Sequence, residues 1–277
     1  MADTYRERQP SAALAGMVRT VWVQRVGDEP VIHRHLPTGG MEIHVVVGGG
    51  ARVFGPLTRH RLEAIPSRTT ILGVRFRPGG APPLPMPFEE LVDRSVPLVE
   101  VWGGLAERLL DDVAAVGAAE RGIGLLEAFL MQRFRVGRAA DPLLRAAVEA
   151  LMPWRPVEVG AVAADVGLSE SQLRRRSLSA VGLSPKVLQR TLRFQGFLAL
   201  AQAGATSRAR VGADGIAGLA VDAGYADQAH LSRECLRLTG QTPKELLHGD
   251  VERCACGHDH SASYRPFLAG RTRAPGI

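Results

Sequence analysis

Residues 167–189 read GLSESQLRRRSLSAVGLSPKVLQ and residues 224–246 read GYADQAHLSRECLRLTGQTPKEL; the second is a diverged copy of the first. The match begins upstream, where Val162–Gly167 (VAADVG) aligns with Leu219–Gly224 (LAVDAG) at an offset of 57 residues. One extra residue in the second turn makes the offset 58. Thereafter Ser169 aligns with Asp227, Leu173 with Leu231, Arg175 with Arg233 and Gly182 with Gly240. Ser184-Pro185-Lys186 aligns with Thr242-Pro243-Lys244, and Leu188 with Leu246. So many matches in order mark an internal repeat.

Each copy has the local chemistry of a helix, a tight turn and a second helix. Val159, Val162, Ala163 and Val166 share one face of a short helix that ends at Gly167, which can take the positive φ of a helix stop. Ser169 is an N-cap, with Gln172 three residues later completing a capping box. In the second copy Asp214 caps the first helix, Gly224 ends it and Asp227 caps the next. Gly followed by Ser/Thr-Pro then launches a third helix with proline at its first position. Small residues at Ala163 and Ala220 let helices cross closely.

Charge follows the same frame. The chain has 277 residues, 34 Lys+Arg against 28 Asp+Glu, and a formal net charge of +6. Only Lys186 and Lys244 are lysines, so the basic character is arginine. Between Ser169 and Arg193 stand Arg174, Arg175, Arg176, Lys186, Arg190 and Arg193 against the single acid Glu170. An arginine-rich second helix suits phosphate neutralisation and bidentate reading of guanine.

These stretches resemble the DNA-binding domain of the AraC/XylS family. The more diagnostic half is carried by Gly224, Tyr225, Asp227, Leu231, Arg233, Gly240, Thr242 and Pro243. The resemblance implies two helix-turn-helix units joined by a long helix, Pro185–Ala203, entering successive major-groove segments about 34 Å apart. It implies base-facing positions at Ser171, Arg174 and Arg175 in the first unit, and at Gln228, Ala229, Ser232 and Arg233 in the second. Arg174 and Arg175 suit guanine, Gln228 adenine and Ala229 a thymine methyl. Ser169 is a cap that can also touch phosphate, Arg190 is expected on a phosphate, and Arg176 is either a phosphate contact or solvated. The family's usual core aromatic is replaced by Ser177 and Cys235, which leaves Phe194, Phe197 or Trp154 to fill the space.

Outward from the repeat, the expected fold class is α+β: a β-rich domain, with a cupin-like form as one option, then an all-α domain of two helix-turn-helix units and a linker helix. Boundaries are expected at 1–97 for a β-rich sensor, 98–136 for a helical dimerisation region, 140–249 for the double helix-turn-helix and 250–277 for a flexible tail. Strands are expected at Met17–Val26, Met41–Val47, Ala51–Phe54 and Thr69–Phe76. Leu98–Val136 reads as helical with an interruption at Gly117–Gly124. Its apolar stripe suits either a homodimer seam or internal core.

The first domain resembles a sensor domain of actinobacterial family members through Pro37–Gly48, Gly55-Pro56 and Gly73–Gly80. This likeness transfers no ligand; the AraC/XylS resemblance implies an effector-binding or dimerisation domain here, controlled by a small-molecule effector, and strand location makes Trp22, Met41, His44 and Phe76 candidate pocket residues. His33 and His35 followed by Glu42 are similar to a cupin metal motif, but the spacing to Glu42 is too long. Cys254, Cys256, His258 and His260 in the tail are weak candidate ligands for a soft metal. No cofactor is expected.

Enzyme classes find little support: no GxGxxG, Walker, HExxH or GxSxG pattern occurs. A DNA-repair methyltransferase with an AraC-like domain needs a four-cysteine site near its start, whereas no cysteine precedes Cys235. No apolar run suits a signal peptide or a membrane span, so a cytoplasmic setting is expected. Expected partners are double-stranded DNA, an effector, a second copy of the chain and, for an activator, RNA polymerase. The competing reading is a ligand- or metal-binding sensor whose helical half is an interaction module.

Overall fold

The structure is a computed structural model that describes residues 3–136, 141–154, 157–206, 215–247 and 259–272. Its first part is a six-stranded antiparallel sheet in the order β1-β2-β7-β4-β5-β8, with a separate β3–β6 ribbon. The strands are β1 Thr4–Arg8, β2 Val18–Arg25, β3 Val31–His35, β4 Glu42–Val46, β5 Ala51–Phe54, β6 Arg61–Ile65, β7 Thr70–Phe76 and β8 Ser95–Pro97. Four of these, β1, β3, β6 and the short β8, lie outside the expected strands. TYRER, VIHRH and RLEAI alternate apolar with charged residues and keep one side partly open, so hydrophobic content alone does not reveal them.

Strand alternation divides the sheet into two unlike faces. One face carries Val21, Val23, Ile43, Val45, Val53, Leu72 and Val74, all buried against the helices that follow. These are α1 Leu98–Trp102, α2 Gly104–Val116 and α3 Ala119–Val136. Leu109, Val113, Ile123, Leu126 and Leu130 are at most 5% exposed there, so the stripe read as a dimer seam or core is internal core. The helical break is also shorter than expected, confined to Gly117 and Ala118. Gly122 lies inside α3, where an added Cβ would sit 2.6 Å from Leu72 Cδ1. That glycine lets the helix lie close on the sheet.

The other face is polar and carries Glu7, Thr20, Trp22, Glu42, His44 and Arg75, as the strand register requires. Of the four expected pocket residues, only Trp22 and His44 share it, their rings 4.8 Å apart. Met41 and Phe76 are buried in the core on the helix side, which corrects their assignment to a pocket. Their neighbours in the chain, not they, have the parity that faces the cavity.

The second part contains α4 Pro142–Ala150, α5 Val159–Asp165, α6 Glu170–Val181, α7 Pro185–Thr206, α8 Gly215–Asp222, α9 Gln228–Thr239 and α10 Pro243–Leu247. One core spans both repeats and includes Val162, Ala163, Leu173, Leu188, Phe194, Phe197, Ala220, Tyr225, Leu231 and Leu246. Phe194 and Phe197 are fully buried in the same core as Cys235. Ser177 satisfies its hydroxyl by donating to the Leu183 carbonyl at 2.6 Å. Burial pushes the Cys235 thiol up to about 12, so it acts as an inert core group.

The tail is the largest departure from expectation. Ser261–Thr272 forms a further helix, α11, packed on α7, β1 and β2. Tyr264 and Phe267 are buried in the helical core, and Trp154 Nε1 donates to the Phe267 carbonyl at 2.5 Å. Its Pro266 and small residues look like loop chemistry in sequence. Tertiary packing, not helix propensity, holds it. Cys254, Cys256, His258 and Asp214 lie outside the described residues.

Candidate nucleic-acid interface

The first unit is built as its local sequence requires. Gly167 has φ +70°, and its turn is closed by Leu168 N donating to the Ala163 carbonyl at 2.9 Å. Ser169 Oγ accepts from Gln172 N at 3.2 Å, and Gln172 Oε1 accepts from Ser169 N at 2.8 Å. The cap satisfies amide hydrogens that the first helical turn would otherwise leave unpaired. Replacing Ser169 with Ala is expected to cost about 1 kcal/mol, measured by urea denaturation; no change would show the cap to be dispensable.

Helix α6 turns Leu173, Ser177 and Val181 inward and leaves Ser171, Arg174 and Arg175 exposed. The second unit repeats this arrangement. Gly224 has φ +81°, Asp227 Oδ1 accepts from His230 N at 2.6 Å, and α9 buries Leu231, Cys235 and Leu238. Gln228, Ala229 and Arg233 are exposed. Ser232 is half-buried and donates to the Gln228 carbonyl at 2.8 Å, so its hydroxyl is partly occupied within the helix.

Two arginines read as phosphate candidates have acidic protein partners. Arg176 pairs with Asp141, which also caps α4 by accepting from Leu143 N and Leu144 N. Arg190 lies 3.3 Å from Glu234 and pins the linker helix to α9. Arg190→Ala is therefore expected to leave the slope of log K against log salt unchanged. A slope smaller by about one in titrations across salt would return Arg190 to the phosphates.

The sheet domain holds both units at matching places. His60 N donates to the Leu238 carbonyl at 2.6 Å, and Arg34 Nη1 to the Thr239 carbonyl at 2.7 Å. An added Cβ on Gly240 would lie 2.9 Å from the His60 ring, and one on Gly182 would lie 2.8 Å from the Phe88 carbonyl oxygen. Gly182 and Gly240 are the aligned helix stops of the two repeats. The contacts sit at the C-terminal ends of α6 and α9, away from the capped N-terminal ends that carry the exposed candidates.

The polar face of the sheet meets α7, α10 and α11 around a cavity of about 80 Å³. Here Arg75 bridges Glu7 at 3.0 Å and Glu42 at 2.8 Å. Burial alone would raise both carboxyls. The His260 hydrogen bond and Arg75 hold Glu7 far below the usual range instead, and Arg75 with His44 does the same for Glu42. Burial lowers His44, partly offset by its bond to Glu42. His35 contacts Glu63 at 2.7 Å, and His33 packs beside it. Among the described residues no group of three or more His, Cys, Asp or Glu is arranged to hold a metal. His260 instead contacts Glu7 at 2.8 Å. Beyond Arg19 a second cavity of about 290 Å³ is lined by Met17, Leu144, Val148 and Met152.

Sequence reasoning did not single out Arg19, Glu7, Gln195, Ser263 or Tyr264. Arg19 gave one signal, a charge inside the apolar run of β2, at the register shift between Val18 and Thr20.

Residues 162–249 match a family described as "Helix-turn-helix domain", and residues 6–97 match "Domain of unknown function (DUF6597)". The chain carries an AraC-type helix-turn-helix domain. None of the curated proteins matches it in sequence. Among solved structures it is similar to ToxT from Vibrio cholerae O395, at 9% identity over 88% of this chain and 96% of that one, with a TM-score of 0.44. An apo, singly substituted ToxT from Vibrio cholerae strain SCE256 gives 10% identity, coverages of 89% and 97%, and 0.44. ToxT bound to (E)-4-(8-methylnaphthalen-1-yl)but-3-enoic acid gives 9% identity, coverages of 88% and 98%, and 0.46. In this chain the helix-turn-helix domain follows the β-rich domain, and no described helix is long and apolar enough to cross a membrane.

Proposed function

We propose that this AraC-type regulator recognises a specific operator through α6 and α9, under the control of a small molecule sensed at its β-rich domain. The observation that carries the reading is the duplicated frame itself. In each unit the buried side of the second helix is fixed by a cap and a glycine stop, and a short set of polar or basic residues is left outward. Ser171, Arg174 and Arg175 form one set, and Gln228, Ala229 and Arg233 the other. Arginine and glutamine are the side chains that pair bidentately with guanine and adenine edges. Ser169 adds a backbone-side contact, while Ser232 has a lesser role because its hydroxyl bonds within its own helix.

Support for effector control comes from the junction. Residues of the sheet, of α7 and of α10 line one cavity, so an occupant would touch sensor and DNA-binding helices together. The test is a gel shift of the full chain on the DNA upstream of its own coding sequence, with unrelated DNA as competitor. A shift that survives competitor supports operator recognition. A helical half that served only as an interaction module would give no sequence-specific shift.

A further inference from the structure

The β3–β6 ribbon has two unlike sides. On the inner one the His35 ring stacks on Phe54, the Arg61 guanidinium lies 4.3 Å from the centre of the same ring, and Ile65 packs in a cluster with Trp22. Strand alternation puts Ile32, Arg34, Leu62 and Ala64 on the outer one, with Ile32 opposite Ala64 and Arg34 opposite Leu62. Arg34 turns its guanidinium to the Thr239 carbonyl. Ile32 is 75% exposed, Leu62 is 54% exposed and Ala64 is also open. Ile32 and Leu62 are diagonal neighbours across the pair, close enough to form one apolar patch. Other surfaces suited to self-association are already occupied. The stripe of α2 and α3 is core, α11 packs on β1, and β8 is three residues long and ends in Pro97.

The ends of the ribbon carry opposite charges. Glu29 stands two residues before β3 begins at Val31, and Arg59 two residues before β6 begins at Arg61. Because Val31 faces Ile65 and His35 faces Arg61, Glu29 and Arg59 lie beyond opposite ends. Both are exposed, and neither has an ion-pair partner among the described residues. Asp28, beside Glu29, is already paired with Arg68. This charge pattern selects one way of stacking two ribbons. A two-fold axis along the strands sets Glu29 against Glu29 and Arg59 against Arg59. An axis across the strands, at His33 and Glu63, brings the Glu29 end of each copy to the Arg59 end of the other. The same axis lays Leu62 of one copy on Ala64 of the other, large on small, and Ile32 on the aliphatic stem of the other copy's Arg34.

We propose that the outer side of the β3–β6 ribbon is a two-fold interface between two copies of this chain, with Ile32 and Leu62 at its centre and Glu29 of each copy facing Arg59 of the other. An interface of this kind is self-complementary and closes at two copies. A face of two five-residue strands measures about 17 Å by 10 Å, well below the roughly 800 Å² per partner of a stable complex. Association is therefore expected to be weak, with a Kd on the order of 10–100 µM. The inference goes beyond the DNA reading and depends on neither DNA nor an effector.

The test is sedimentation equilibrium of the full chain without DNA, from about 1 µM to several times the expected Kd. The wild type is expected to pass from monomer to dimer and to stop there. Ile32→Thr/Leu62→Thr keeps β-branched residues in exposed strand positions, so its Tm is expected to stay within about 2 °C while the dimer is lost. The charge pair is tested by exchange. Glu29→Arg and Arg59→Glu each place like charges at both ends of the interface, and each is expected to weaken the dimer about tenfold. The chain carrying both restores opposite charges and is expected to regain wild-type association. A wild type that stays monomeric throughout overturns the proposal and leaves the apolar side to a different partner. Growth beyond two copies, a dimer that survives Ile32→Thr/Leu62→Thr, or a double exchange that fails to rescue the single ones also overturns it.

Discussion

Replacing Glu7 with Ala is expected to destabilise the protein by about 3–5 kcal/mol, the range for breaking a buried charge pair by removing one partner. Glu7 has a side chain 1% exposed. It accepts from Tyr5 at 2.6 Å, Arg75 at 3.0 Å, Ser263 N at 2.9 Å and Ser263 Oγ at 3.0 Å, and it contacts His260 at 2.8 Å. Its loss strands Arg75 with one carboxylate and leaves the start of α11 without its acceptor. A Tm lower by roughly 10 °C is expected for a chain of this size, together with lost hydrogen-exchange protection in α11. A change under 2 °C would remove Glu7 from this central role.

The same carboxylate sets an acid dependence. Its folded pKa lies below the usual value of 4.5, so the unfolded chain binds the proton first as pH falls. The stabilisation is complete above about pH 5 and drains away below the unfolded value, toward the lower folded one. Glu42 shares this direction. Stability measured against pH should therefore fall below about pH 4.5 in the wild type, and less steeply in Glu7→Ala.

The second large effect is on DNA. The double variant Arg174→Ala/Arg175→Ala removes two exposed guanidiniums from α6 and is expected to weaken operator binding by about 2–6 kcal/mol, or some thirtyfold and beyond. Single replacement of Arg174 or Arg233 should cost about 1–3 kcal/mol and relax one base position each. Selection from random DNA reads this directly. Uniform weakening across all sequences would assign these arginines to phosphate instead.

The helix-turn-helix repeat was legible because its determinants are local. Caps at Ser169 and Asp227 and glycine stops at Gly167, Gly182, Gly224 and Gly240 each act within a few residues. Four apolar strands were legible for the same reason. The domain junction was not, since Arg19 meets Ser263 across 244 residues and Glu7 meets it across 256. Pairing parity also decided the pocket. Trp22 and His44 reach the polar face, whereas Met41 and Phe76 turn to the core, and only the strand register distinguishes them. Arg176 and Arg190 look like phosphate contacts in a basic stretch. Their acidic partners, Asp141 and Glu234, come from other helices.

Helix α11 packs on β1, β2 and α7, while residues 248–260 join it to the second helix-turn-helix unit. A chain reaches at most about 3.5 Å per residue, so α11, once undocked, stays within roughly 50 Å of α10. Its effective concentration at its own binding surface is then on the order of millimolar. A competitor for that surface must exceed this level relative to its own affinity. Undocking therefore responds to a change in the junction's free energy, not to dilution of the protein.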